Sequence, residues 1–469
     1  MLSALVVPIM APAFAAGDRD RAGRLASALL TWAVIVLVPI GAVIAVFAGP
    51  AVSLLMGTQP CPGAHALGVR MLLVFAPQVL FYGLAVVLGG VLSADERFGW
   101  PAVSPLLSSL VVVVAYLTYG HLAGPDVLPE RLGRGAELVL SVGTTFGVVV
   151  LGLALVPAAL RMGLRWRPAV RFPAGVAATV RVAALAGAAT LTAQQLSSAV
   201  TIRLANSGTA VGTVVIVAVA QTVFLLPWAV LSLPVATTAF PRLAAAWDRG
   251  DTDEFRRRSG QGTRVVLAAA AGGTVLLVAV AEPAGIVLLS GNAGSLRAFA
   301  PTLVAWSIGL IGWSLVALLA RTLYAAGRVR VAAAAQVAGQ LTVIVADLVL
   351  SASVRPLYRG FVLGLGNSVG VTVAAVALLV LARRAGALRL GAATARAAAA
   401  AVTAALVGSV AGWSVGRLAR GDGTWTALGV ALLAAAAGAV VFAAAIAALD
   451  RPLVRELRAR GPGRTRAVS

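Results

Sequence analysis

The sequence predicts an all-α, polytopic membrane protein of about 13 transmembrane helices, arranged as two pseudo-twofold-related lobes with two extra C-terminal helices. Three observations carry that prediction: the composition, the recurrence of apolar runs long enough to cross a bilayer, and an internal repeat. Of 469 residues, 60% are hydrophobic and 11% charged, with a mean hydropathy of +0.97. A soluble domain carries about 25% charged residues. Lipid offers no partner to unpaired backbone groups, so only helices or closed barrels cross it. Long runs of Ala, Leu, Val and Gly are helices of the closely packing kind.

Each crossing needs about 20 mostly apolar residues. Such runs fall at 1–16, 26–47, 66–92, 101–122, 138–160, 178–205, 210–241, 264–282, 299–324, 331–352, 358–382, 394–416 and 425–449. The first is short. They divide the chain into an N-terminal lobe (1–162), a linker (163–177), a C-terminal lobe (178–385), the two extra helices (386–450) and a basic tail (451–469). Pro227 and Pro234 fall within one long run. Each removes a backbone hydrogen bond, which predicts a helix break there.

The net charge of +21 does not point to nucleic acid, because its placement has another cause. All 37 basic residues are arginine; taking alternate loops as one side, 26 lie on one side and 7 on the other. That asymmetry places the arginine-rich loops and the C terminus in the cytoplasm. It also predicts contact with anionic membrane lipids. Cys61 stands alone and forms no internal disulfide. There is no phosphate-cradling lysine loop and no Cys/His metal spacing, so neither an enzyme, a cofactor nor a metal centre is expected.

The repeat is read from two pairs of segments. "FYGLAVVLGGVLSADERFGWPA" runs parallel to "GWSLVALLARTLYAAGRVRVAA" at an offset of 231, pairing Leu92 with Leu323 and Arg97 with Arg328. "LSALVVPIMAPAFAAGDRDRAGR" matches "LSLPVATTAFPRLAAAWDRGDTDEFRRR" at an offset of 229, pairing Pro12 with Pro241. The opening apolar run reads either as a secretory signal or as the back half of a hairpin. It has no basic leader. The repeat favours the hairpin and predicts that roughly fifty residues, one helix and half of the next, precede Met1. Same-orientation repeats place a transport site in a cleft between lobes.

With these segments in place, the chain resembles the MviN/MurJ family of lipid II flippases, within the multidrug/oligosaccharidyl-lipid/polysaccharide exporter superfamily. The resemblance rests on "LSALVVPIMAPAFAAGDRDRAGRLAS", "VLSADERFGWPAVSP", "LPVATTAFPRLAAAWDRGDTDEFRR" and "ALLARTLYAAGRVRVAA". It implies alternating access that moves an undecaprenyl-linked peptidoglycan precursor across a bacterial plasma membrane, with cell-wall synthesis proteins as partners. The alternatives are a drug or polysaccharide-unit exporter, and a degenerate copy that no longer transports. The family's cavity arginines belong to its first helices, and where a further one is expected this chain reads "AQTVFLLP".

Polar groups inside the spans are the candidate site. Gln195 and Gln221 occupy the first two spans of the second lobe; amides there either bond to neighbouring helices or line a cavity. Arg321 and Arg181 either snorkel to the head groups or touch substrate. Arg203 and Asp347 approach the outer face, where they pair or reach water. The resemblance also implies sodium binding in some members, and it aligns Asp347 with one of their ligands while Thr201 and Val343 stand at others.

Overall fold

The computed structural model describes residues 6, 10, 13–14, 16–56, 62–124, 127–164, 166–172, 177–207, 212–289, 293–389, 391–419 and 423–452. Most of the first predicted run, Cys61 and the tail beyond residue 452 lie outside the described residues. Among the described residues the chain is helical, with no strand. It divides into two compact units, Met1–Gly187 and Ala188–Ser469.

The first unit holds α1 (Arg19–Val46), α2 (Ala48–Met56), α3 (Ala64–Phe75), α4 (Gln78–Ala94), α5 (Gly99–Ala123), α6 (Arg134–Leu153) and α7 (Val156–Leu160). α8 (Ala177–Ala205) leads into the second unit. That unit continues with α9 (Thr213–Pro227), a π-helical turn (Trp228–Ser232), α10 (Leu233–Asp248), α11 (Thr252–Leu288) and α12 (Ala293–Ile308). It ends with α13 (Leu310–Ala325), α14 (Val329–Ala352), α15 (Arg359–Arg384), α16 (Ala392–Gly416) and α17 (Thr424–Leu449).

Among the described residues, eleven helical segments are long and apolar enough to cross a membrane. α8 is not among them, although the sequence places a span over 178–205. Its stretch "TLTAQQLSSAVT" is too polar for a lipid-facing helix, and this makes α8 the natural wall of a polar cavity. Two observed helices outrun their predicted spans: α1 begins at Arg19 and α11 at Thr252. A hydropathy window sees only the lipid-crossing part. The extra turns of α11 are a charged overhang in which Glu254 pairs with Arg257 and Arg258.

The repeat survives as backbone chemistry. Asp18 caps α1 by accepting from Arg21 N at 2.8 Å, and Asp251 caps α11 by accepting from Glu254 N at 2.9 Å, both at φ −80°, ψ 79°. Gly17 and Gly250 precede them at φ +69° and +72°, where a Cβ would be strained. The N–H groups of Gly17 and Asp18 donate to Phe14 and Ala13, as those of Gly250 and Asp251 donate to Trp247 and Ala246. The offset at this corner is therefore 233; the 229 alignment upstream carries a four-residue difference ahead of the turn. At the second corner Arg97 N donates to Leu92 and Arg328 N to Leu323, at the expected 231.

Cores follow from this arrangement. The first unit buries Met10, Leu25, Val91, Leu92, Leu155 and Met162 around α1, α4 and α7. In the second, Phe224, Leu277, Phe299, Leu303 and Leu310 form the largest cluster. The α16–α17 hairpin docks on α11 through small residues. A Cβ on Gly412 would come within 2.6 Å of the Ala279 Cβ, and one on Gly438 would lie 2.8 Å from Val275 Cγ1. Close backbone approach of this kind is how helices associate where lipid removes the hydrophobic drive. Outward residues such as Leu406, Val410, Leu432 and Val440 are exposed and apolar, as a lipid-facing surface requires.

Candidate functional site

The second unit encloses a polar cavity of about 200 Å³. α8 contributes Gln194, Ser197, Ser198 and Thr201; α9 contributes Gln221; α14 and α15 contribute Gln340 and Asn367; and Trp306 and Trp313 close it on the α12–α13 side. The aromatic wall is fixed by edge-on packing of Phe224 against both tryptophans, with ring centroids 5.7 and 6.3 Å apart. At about 30 Å³ per water, the cavity holds some six waters.

Asp347, buried on α14, sits at its edge. Thr201 Oγ1 donates to its Oδ2 at 2.7 Å, while Oδ1 is buried without a partner. Oδ1 lies against the α15 backbone, because a Cβ on Gly366 would fall 2.0 Å from it. Asn367 Nδ2 and Trp306 Nε1 are also buried and unpartnered. The cavity lining offers hydroxyl and amide groups and holds no arginine. Among the described residues no three His, Cys, Asp or Glu side chains gather as a metal cluster.

The predicted residues separate. Gln221 lines the cavity; on α8 it is Gln194 that does so, and Gln195 is exposed outside that lining. A shift of one residue on a helix turns a side chain by about 100°. Arg321 donates to the Ala317 carbonyl in its own helix at 2.7 Å, and Arg181 is exposed. Arg203 does not pair with Asp347, and Asp347 does not reach water: Arg203 bonds the Ser207 hydroxyl, one turn along α8, and Asp347 points inward. Gln336 is an interhelical strut, donating to the Tyr324 hydroxyl at 3.1 Å. Between Pro227 and Pro234 the chain stays helical as a π turn in which Leu233 N donates to Trp228 O. Pro234 cannot donate to Val230, and the wider turn absorbs that loss.

The first unit contains a feature the sequence reading did not single out. Arg70 on α3 donates from Nε and Nη2 to Oε1 and Oε2 of Glu137 on α6, at 2.7 and 2.8 Å. One turn pair deeper, Thr145 donates to the Val74 carbonyl at 3.1 Å and accepts from Gln78 at 2.8 Å, satisfying the break at Pro77. An arginine inside the 66–92 apolar run and a glutamate at the edge of the 138–160 run were the available signal.

The profile of the family described as Lipid II flippase MurJ matches residues 1–433. The chain belongs to the MurJ family. Curated relatives include the probable lipid II flippase MurJ of Synechocystis sp., 26% identical over 314 residues, and the lipid II flippase MurJ of Burkholderia cenocepacia, 28% identical over 306. Those alignments cover 66% and 64% of this chain, which spans 58% and 57% of the relatives' own length. The MurJ fold is matched in turn by a solved lipid II flippase MurJ in an inward closed conformation: TM-score 0.70, 14% identity, covering 97% of this chain and 90% of that one. An inward-facing multidrug resistance MATE transporter matches with TM-score 0.63 and 13% identity, over 82% and 86% of the two chains.

Proposed function

We propose that this MurJ-family chain flips a lipid-linked peptidoglycan precursor, lipid II, across a bacterial plasma membrane by alternating access, supporting cell-wall synthesis. The observation that carries the reading is the family match over residues 1–433. A pyrophosphate-sugar head cannot cross hydrocarbon unaided, since one charged side chain at the bilayer centre already costs about 2.5–3.5 kcal/mol. No bond is broken, so the protein needs a hydrated path and a coupling site in place of an acid/base pair.

In this reading residues 1–162 and 178–385 are the two lobes, the arginine-rich loops face the cytoplasm among anionic lipids, and the 200 Å³ cavity is the coupling site. Asp347, supported by Thr201, is its ion-binding residue. Gln221 borders it; Gln195, Arg181 and Arg321 are the contacts left for the head group. The Pro227–Pro234 turn is the point at which the α9–α10 span bends. A second reading, export of a drug or polysaccharide unit, draws on the absence of arginine from the cavity lining.

The deciding experiment is depletion of the protein with measurement of lipid II on each leaflet. Accumulation on the inner leaflet, with loss of wall integrity, supports flipping; an unchanged leaflet distribution in depleted cells removes the assignment.

A further inference from the structure

We propose that Arg70 is an oxyanion-binding residue that takes a phosphate of the lipid-linked pyrophosphate, and that Glu137 is its positioning partner; this deepens the flippase reading and rests on it.

Arg70 lies six residues into α3, about 9 Å along the helix axis. Its partner Glu137 lies in the first turn of α6, three residues after Arg134, so the pair sits near the end of that helix. The two partners are unequally covered: Glu137 is 8% exposed, whereas the Arg70 side chain is 51% exposed. Both carboxylate oxygens are taken by one edge of the guanidinium. Of its five N–H donors, three remain, on the edge that is not held. A planar fork of this kind matches phosphate oxygens in pairs. Glu137 thus fixes the direction in which Arg70 presents its free edge. Beyond Arg70, the charge that acts on Glu137 is Arg134, at the start of the same helix.

The second unit builds the same crossing without charge. Ser368 donates to the Ala305 carbonyl at 2.6 Å, the counterpart of Thr145 on Val74. With 74 matched to 305 and 145 to 368, positions 70 and 137 correspond to Pro301 and Gly360. There Gly360 packs against Thr302, whose Oγ1 would lie 2.6 Å from an added Cβ. The architecture closes this crossing with a glycine and a hydroxyl, so the Arg70–Glu137 pair answers to something other than packing.

The test uses the full chain in uncharged phosphatidylcholine nanodiscs, with undecaprenyl pyrophosphate as the probe and undecaprenol as its phosphate-free control. R70Q and the double variant R70Q/E137Q are expected to weaken binding of the pyrophosphate lipid by about tenfold or more. Both should leave undecaprenol binding unchanged, with the double variant melting like the parent. R70K should fall between, keeping the charge and losing the fork. Parent-like binding of the pyrophosphate lipid by the double variant, equal loss for undecaprenol, or no binding by the parent would each overturn the proposal. If phosphatidylglycerol displaces the probe at equal concentration with the same dependence on Arg70, the site serves bulk-lipid head groups and the substrate assignment is lost. If probe binding depends on Arg70 while the parent moves no lipid II in proteoliposomes, the lipid II reading falls and the oxyanion site stands.

Discussion

Replacing Gly366 with alanine places a methyl group 2.0 Å from Asp347 Oδ1 and 3.2 Å from the Asp347 backbone nitrogen. The side chain could turn aside, but the α14 backbone cannot give way without opening its packing on α15. Overpacking of this kind costs about 1–3 kcal/mol. Turning Asp347 away from Thr201 forfeits a hydrogen bond to a carboxylate, about 1.5–3 kcal/mol. Alanine returns about 0.5–1 kcal/mol of helix propensity. The net is a destabilisation of about 1.5–5.5 kcal/mol. The internal control is Gly429→Ala on α17, where an added Cβ meets nothing within 4 Å. Unfolding of the purified protein in detergent, followed by tryptophan fluorescence, should show G366A melting well below the parent and G429A at or slightly above it. Coincident melting of G366A and G429A would refute the placement of Oδ1 against α15, and with it the proposed coupling site.

Thr201→Val removes the one hydrogen bond given to Asp347 and should cost about 1.5–3 kcal/mol while altering the cation dependence of transport in proteoliposomes; unaltered cation dependence would place coupling elsewhere. Asp18→Ala and Asp251→Ala, which remove geometrically equivalent helix caps, should each cost about 0.5–2 kcal/mol and match one another in detergent unfolding. Gly412→Leu should separate α16 from α11 near Ala279, exposing the C-terminal hairpin to limited proteolysis; an unchanged digestion pattern would remove that contact.

Spans and corners were legible because each has a local cause. Apolar length fixes a crossing, and a left-handed residue, Gly327 before Arg328 and Glu96 before Arg97, fixes a corner, so the two arginines align in both sequence and hydrogen bonding. The site was less legible. Gln194 and Gln195 differ by one step on a helix that no hydropathy window orients, and only tertiary packing decides which of them meets Trp306. The partner of Asp347 was likewise hidden: a threonine reads as loss of a ligand in the sequence and as a hydrogen-bond donor in the fold. The Arg70–Glu137 pair spans 67 residues, a separation that no local pattern signals.

The π turn at Trp228–Ser232 has a geometric consequence for the span that contains it. A π turn takes one surplus residue into a wider turn, so side chains beyond it are turned by about 100° from the directions a regular α-helix of the same sequence would give them. Gln221 and Thr237 therefore face directions that a straight rod of the same sequence would not give them. Excising a single residue between 228 and 232 would let the turn close as ordinary α-helix while the α9 and α10 faces keep their present relation.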